Sequence, residues 1–168
     1  MSRVNRVKLN GNCAKAKNLI GNRIAAVSIS AEEIAREKDR LPRGWGRFGK
    51  SLDELAELSE PDESLISSCV AINPEFKHKT VTLPGGLIEM TSATNIVLGA
   101  TNKRLLLVGT GMGGAPRNHY DLSYEGLEIA DRQKKEFTLR TEHGEIRFRG
   151  AAKQQIPEFL DAVEANAR

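Results

Sequence analysis

The sequence predicts a mainly β protein: an antiparallel barrel of about seven strands in two near-orthogonal sheets, capped by a C-terminal helix and preceded by an N-terminal helical extension. Three observations lead there. From about residue 65 to 150, short apolar stretches are separated by turn residues, the pattern of successive strands. Within it, FTLRTEHGEIRFRG alternates Phe137, Leu139 and Thr141, then Ile146 and Phe148, with polar residues, as a hairpin does. After it, Ile156, Phe159, Leu160 and Val163 fall on one stripe of a helix over 154–165 that needs a core to cover.

Taken in chain order, Ala16, Ile20, Ile24 and Val27 recur at helical spacing and predict a short basic amphipathic helix within residues 12–27, weakened by Gly21. Ser30-Ala-Glu-Glu33 has the spacing of a capping box and opens a helix over 31–40, which Leu41-Pro42 ends. RGWGRFGK, residues 43–50, is a Gly-rich connector. It sets the expected boundary between a basic extension, 1–50, and a domain, 51–168. Ser51-Leu-Asp-Glu54 reads as a second capping box, with Leu52, Leu55 and Leu58 on one helical face.

Strands are expected near 65–73, 79–90, 94–99, 103–109, 118–124, 126–132, 135–142 and 145–150, the second interrupted by Pro84-Gly85-Gly86. A His143-Gly144 turn would set Leu139 against Phe148, Thr141 against Ile146, Arg140 against Arg147 and Glu142 against Glu145.

In order, LDELAELSEPDESLISS, NIVLGATNKRLLLVG, HYDLSYEGLEI, FTLRTEHGEIRFRG and the final helix resemble bacterial pleckstrin-homology-like domains over residues 52–166. The most telling piece is Thr101-Asn-Lys-Arg-Leu-Leu-Leu-Val108, similar to the family's turn into an apolar strand, followed by Tyr120 to Ile129. The resemblance implies two nearly orthogonal sheets plugged by the helix, and a binding module without catalytic activity. It also draws attention to Lys77 and Lys79, because eukaryotic relatives use basic residues in the loop after the first strand to hold anionic headgroups. The loop at 109–116 and Pro84-Gly85-Gly86 depart from the family's pattern.

The net charge of +3 conceals an asymmetry: residues 1–50 carry 12 Lys or Arg against 4 Asp or Glu, and the rest 13 against 18. Such a basic start suits a polyanion, an anionic membrane or an acidic face of its own domain. No run approaches the roughly 18 apolar residues that span a bilayer, and no apolar signal region follows the basic start. Cys13 and Cys69 have neither metal-ligand nor disulfide-framework spacing. The expectation is a cytoplasmic protein with a protein partner or further copies of itself, contact with an anionic membrane surface, and nucleic-acid binding through residues 1–50 as the alternative.

Candidate anion-binding residues are Lys77, Lys79, Arg140, Arg147 and Arg149, the last three on one outer face of the hairpin; solvated surface charge is the favoured alternative for each. Arg43, Trp45, Arg47 and Phe48 interleave cations with aromatics, the chemistry of base stacking or a membrane interface. The alternative is that Trp45 and Phe48 dock the connector on the barrel. Gly109-Thr-Gly111-Met-Gly-Gly114 matches a dinucleotide fingerprint, with Asp131 at ribose distance, but the alternation of Tyr120, Leu122 and Tyr124 predicts a strand where that fingerprint needs a helix. His78, His119 and His143 are unpaired in spacing. No metal site, cofactor or catalytic residue is therefore predicted.

Overall fold

The computed structural model describes residues 28–73, 81–83, 86–88, 95–150 and 154–167. The helix expected within 12–27 and the candidates Lys77 and Lys79 lie outside them. Helices α1 (Ala31–Asp39) and α2 (Gly49–Leu58) come first. The strands β1 (Leu65–Ile72), β2 (Val81–Leu83), β3 (Gly86–Ile88), β4 (Asn95–Thr101), β5 (Arg104–Thr110), β6 (Pro116–Ser123), β7 (Glu128–Arg132), β8 (Glu136–Thr141) and β9 (Gly144–Gly150) follow, and α3 (Ile156–Asn166) comes last.

Seven strands form one antiparallel sheet in the order β6-β5-β4-β1-β9-β8-β7, while β2 and β3 pair only with each other. The predicted second strand is thus a small separate hairpin broken at its Pro-Gly step. The two sheets expected of the fold are two halves of a continuous one. β1 pairs with β4 along its whole length, but with β9 only at Ala71↔Gly150 and Ile72↔Arg149. The sheet therefore splits beyond that corner, and β9 departs where Gly150 leaves no room for a Cβ against Ile156.

Inside the barrel, Cys69, Ala71, Ile96, Leu98, Leu105, Leu107, Phe137, Leu139, Ile146 and Phe148 form one core, which Ile156, Phe159, Leu160 and Val163 of α3 plug as their spacing predicts. Phe137 stacks on Phe148 at 5.1 Å and tilts against Phe159 at 5.8 Å. Burial pushes the Cys69 thiol up to about 12, leaving it protonated and inert.

A second core lies on the outside of β1, β4 and β5. Val70, Val97, Leu106 and Val108 are buried there beneath Ile29, Ile34, Phe48, Leu52 and Leu55. Gly99 allows this close approach, since a Cβ in its place would come 2.8 Å from Leu55 Cδ1. Residues 28–58 are thus an outer layer of the barrel, and α2 runs across the expected boundary at residue 50.

Two local readings change. The Ser30–Glu33 capping box forms as predicted, but the Ser51–Glu54 box does not. Helix α2 already starts at Gly49 on a 3-10 turn, Gly46–Phe48, and the Ser51 hydroxyl donates to the Gly114 carbonyl at 2.8 Å. In the β8–β9 hairpin the turn is Glu142-His143, with Thr141 opposite Gly144 at φ +132°. Arg140 therefore faces Glu145, Leu139 faces Ile146, and Phe137 faces Phe148. This register replaces like-charge pairs by opposite ones and stacks the two aromatics, which favours it over the predicted one.

The β1 edge facing away from β4 is met by side chains between Leu65 and Val70, since β9 pairs with β1 only at Ala71 and Ile72. Arg36 of α1 donates to the Leu65 and Ile66 carbonyls at 3.0 and 3.3 Å. Glu37 accepts from the Ser68 amide at 2.9 Å and from its hydroxyl at 2.7 Å. The Gln155 side chain accepts from the Val70 amide at 3.3 Å. Glu37 is fully buried and is paired to Arg36 and Arg40 at 3.2 and 3.1 Å, as a buried carboxylate must be.

Candidate functional site

The last residues of β1 and β9 meet at one corner of the sheet, where Ile72 pairs with Arg149. The β7–β8 turn, Gln133-Lys134-Lys135, adjoins this corner, its backbone tied to Glu136 and Gly150. The 43–48 connector lies two strands away, past the end of β5, where Thr110 is in line with Ile72 through Asn95. There the Arg47 carbonyl lies directly against Gly114 in the β5–β6 loop. Those two connections carry Arg43, Arg47, Lys134 and Lys135, all exposed, and no acidic residue.

The far end of β1, β4, β5 and β6 is built from residues 59–64 and the turns after β4 and β6. These hold Glu60, Asp62, Glu63 and Glu125 against a single Lys103. Its main fixture is structural. Glu63 is fully buried and receives Arg104 Nε and Nη2 at 3.2 Å each, the Thr101 hydroxyl at 2.7 Å and the Glu60 amide at 2.7 Å. Burial opposes ionisation of this carboxyl, but the hydrogen bonds from Arg104, the Glu60 amide and Thr101 outweigh it and hold its pKa below the ordinary value. The sequence TNKR, which carried the family resemblance, is therefore the turn that anchors this bridge.

Of the sequence-derived candidates, Arg43 and Arg47 sit in the connector beside the β5–β6 loop, and Arg149 at the corner with Ile72, with Arg147 two residues back along β9. Arg147 and Arg149 both bind Glu136, at 2.7 and 2.8 Å, and Arg147, ahead of partial desolvation and then Arg149, draws the Glu136 carboxyl below its usual range. Arg140 lies on the outer face of the hairpin, between Glu145 at 2.8 Å and Glu128 at 3.4 Å.

Phe48 is fully buried in the outer core, and the half-buried Trp45 ring tilts against it at 5.4 Å, with the Arg47 guanidinium 5.0 Å from the Phe48 ring on the other side. Of the four, the exposed chemistry is that of Arg43, Arg47 and the rim of Trp45.

Three residues at the β1–β9 corner were not singled out in the sequence. Lys134 and Lys135 stand in a turn that contains no acid, and Ile72 is 38% exposed next to Arg149. The two lysines follow β7, which runs parallel to β9, whereas Ile72 meets Arg149 only through the corner pairing of two antiparallel strands, which chain order does not announce. The loop Gly109–Gly114 leads into β6 through a 3-10 turn, with Gly113 and Gly114 at φ +85° and +80°. It supplies no helix N-terminus for a pyrophosphate. Among the described residues no helix is long and apolar enough to cross a membrane.

A seven-stranded antiparallel sheet closed around a core that a C-terminal helix plugs is the architecture of the pleckstrin-homology fold. The chain belongs to the bacterial PH domain family, whose sequence profile matches residues 60–165. Among solved structures, it is similar to a chain from the crystal structure of human RhoA in complex with the DH/PH fragment of PDZRHOGEF, at 9% identity and a TM-score of 0.43. The alignment covers 80% of this chain and 35% of that one, so the present chain corresponds to about a third of it. No curated protein matches the sequence.

Proposed function

We propose that the protein is a non-catalytic binding module that lays a cationic patch on an anionic surface and presents the remainder of the barrel to a protein partner. The grouping of exposed cations carries this reading: Lys134 and Lys135 adjoin the corner where Ile72 is exposed beside Arg149, with Arg43 and Arg47 two strands away past the end of β5, while the acidic turns after β4 and β6 lie at the far end of those strands. A field of that shape orients the molecule before contact. Ile72 adds an apolar residue at the level where lipid headgroups meet acyl chains.

The magnitude limits the claim usefully. Each basic residue near an anionic membrane is worth about 1 kcal/mol, so four supply about 4 kcal/mol, a roughly millimolar affinity. The six cations that precede Glu32 in the sequence would supply the remainder needed for stable attachment. The reading thus joins the two basic regions on one task.

Co-sedimentation of the full chain with phosphatidylserine-containing and neutral vesicles tests it. Retention by the anionic vesicles alone, weakened by salt and several-fold by Lys134→Glu with Lys135→Glu, is the expected result. Equal retention by both vesicle types, or indifference to the charge reversal, would sink the proposal. Nucleic acid outcompeting the vesicles for the wild-type chain would favour the alternative partner of residues 1–50.

A further inference from the structure

We infer that α1 stands in for a β-strand, and that the β1 edge it covers is a docking line for an extended segment of a partner protein. The partners of that edge are the starting point. Reading along β1, two carbonyls, at Leu65 and Ile66, and then two amides, at Ser68 and Val70, are taken up by Arg36, Glu37 and Gln155 side chains. Ile72, next in the same series, pairs with β9. An ordinary strand would satisfy all of these groups with its own backbone. The docking line is therefore continuous with an existing ladder, and interrupted only where β9 turns away at Gly150.

The present occupant is held mainly by polar contacts. Helix α1 has nine residues, too few for an independent helix, and buries only Ile34 and Glu37. Its other ties are ionic and reach solvent: Lys38 to Asp53 and Arg40 to Glu158. Departure of α1 returns the Glu37 carboxylate and its two guanidinium partners to water, which offsets the hydrogen bonds lost. Replacement by a strand restores the backbone bonds without burying any charge.

The strand that fits has a stated chemistry. It offers amides opposite Leu65 and Ile66 and carbonyls opposite Ser68 and Val70. Alternate side chains must be apolar, to cover Leu65 and Val70 where Ile34 now lies. The intervening residues fall on the face that carries Cys69 and Ala71 toward the barrel core, so small side chains fit there. The inference stands apart from the anionic-surface proposal, since it concerns a different face.

Amide hydrogen exchange on the full chain, read residue by residue by NMR, is the test. Alternation sends the Cys69 and Ala71 amides toward β4, so they serve as internal controls. Release of α1 as a unit frees the Ser68 amide from Glu37 and, by withdrawing the Arg40 carbonyl that holds Gln155 at 3.5 Å, loosens the side chain that accepts from Val70; both amides are predicted to exchange at least ten-fold faster than those controls in the wild-type chain. With Arg36→Ala and Glu37→Gln together, the gap widens about ten-fold further. The peptide Lys-Thr-Val-Thr-Val-Thr-Val-Thr-Lys is expected to bind that variant at least ten-fold tighter than wild type and to slow those two amides. A single exchange rate for all four amides in the wild type would overturn the inference, even if the variant fails to fold. So would a bound peptide that leaves Ser68 and Val70 unprotected.

Discussion

The two halves of the sheet have the same strand geometry and opposite outer faces. On β1, β4 and β5, Val70, Val97, Leu106 and Val108 point outward and are buried under the N-terminal layer. On β7, β8 and β9 the outward residues are Glu128, Thr138, Arg140, Glu145, Arg147 and Arg149, with water on the far side. One half is a middle layer between two cores, and the other is the wall of one core. The lesson is that residues 28–58 belong to the barrel physically, although the family match begins only at residue 60.

The largest effect that could break this comparison is removal of the layer. A chain beginning at Ser51 loses Ile29, Ile34 and Phe48 from the outer core and uncovers Val70 and Val108. It is expected to lose cooperative unfolding or to aggregate, seen by circular dichroism and light scattering. A stable monomer with a sharp transition would show the layer to be dispensable. Next in size, Phe48→Ala empties a fully buried aromatic site and is expected to cost about 3–5 kcal/mol in urea unfolding.

At the acidic end, Glu63→Gln removes the charge from a buried bridge while keeping its shape, at an expected cost of about 2 kcal/mol at pH 7. The sign of its pH dependence follows from the direction of the shift. The folded carboxyl lies below the ordinary value of 4.5, so its contribution is fully present above that pH and is lost as pH falls through the lower, folded value. Urea titrations from pH 6 to pH 3 are expected to show a shallower acid decline in the Gln variant. An unchanged slope would mean that Glu63 does not titrate with folding.

Smaller changes sharpen the contrast. Gly99→Ala places a methyl against Leu55 and is expected to cost about 1–2 kcal/mol, since Leu55 can shift only within a packed layer. On the bare half, Arg140→Ala disturbs exposed ion pairs and is expected to leave the urea midpoint where it is. A loss comparable to that of Gly99→Ala would show the charged face to be structural after all.

Much of the fold was legible because its signals are local. Alternation at Phe137–Thr141, helical spacing at Ile156–Val163 and the Ser30–Glu33 box each depend on near neighbours, and each appears where the pattern places it. The outer layer had a signal that alternation arguments overlook: Ile96-Val-Leu and Leu105-Leu-Leu-Val are continuous apolar runs, which strands show when both faces are buried. The hairpin register and the start of α2 were misplaced because glycine tolerates either turn, and because Ser51 finds its partner 63 residues away at Gly114.

Of the candidate site, the sequence showed which residues are charged, and strand order then showed which of them meet. Arg147 and Arg149 are neighbours of Glu136, and Arg149 meets Ile72, relations between residues up to about eighty positions apart. By itself the sequence determined the strands, the plugging helix and the family, since side-chain periodicity is a property of adjacent residues. Only the tertiary structure decided that α1 covers the β1 edge and that Ile72, Arg149 and the β7–β8 lysines meet at one corner, because hydrogen bonds and electrostatics act through space between segments that the chain order keeps apart.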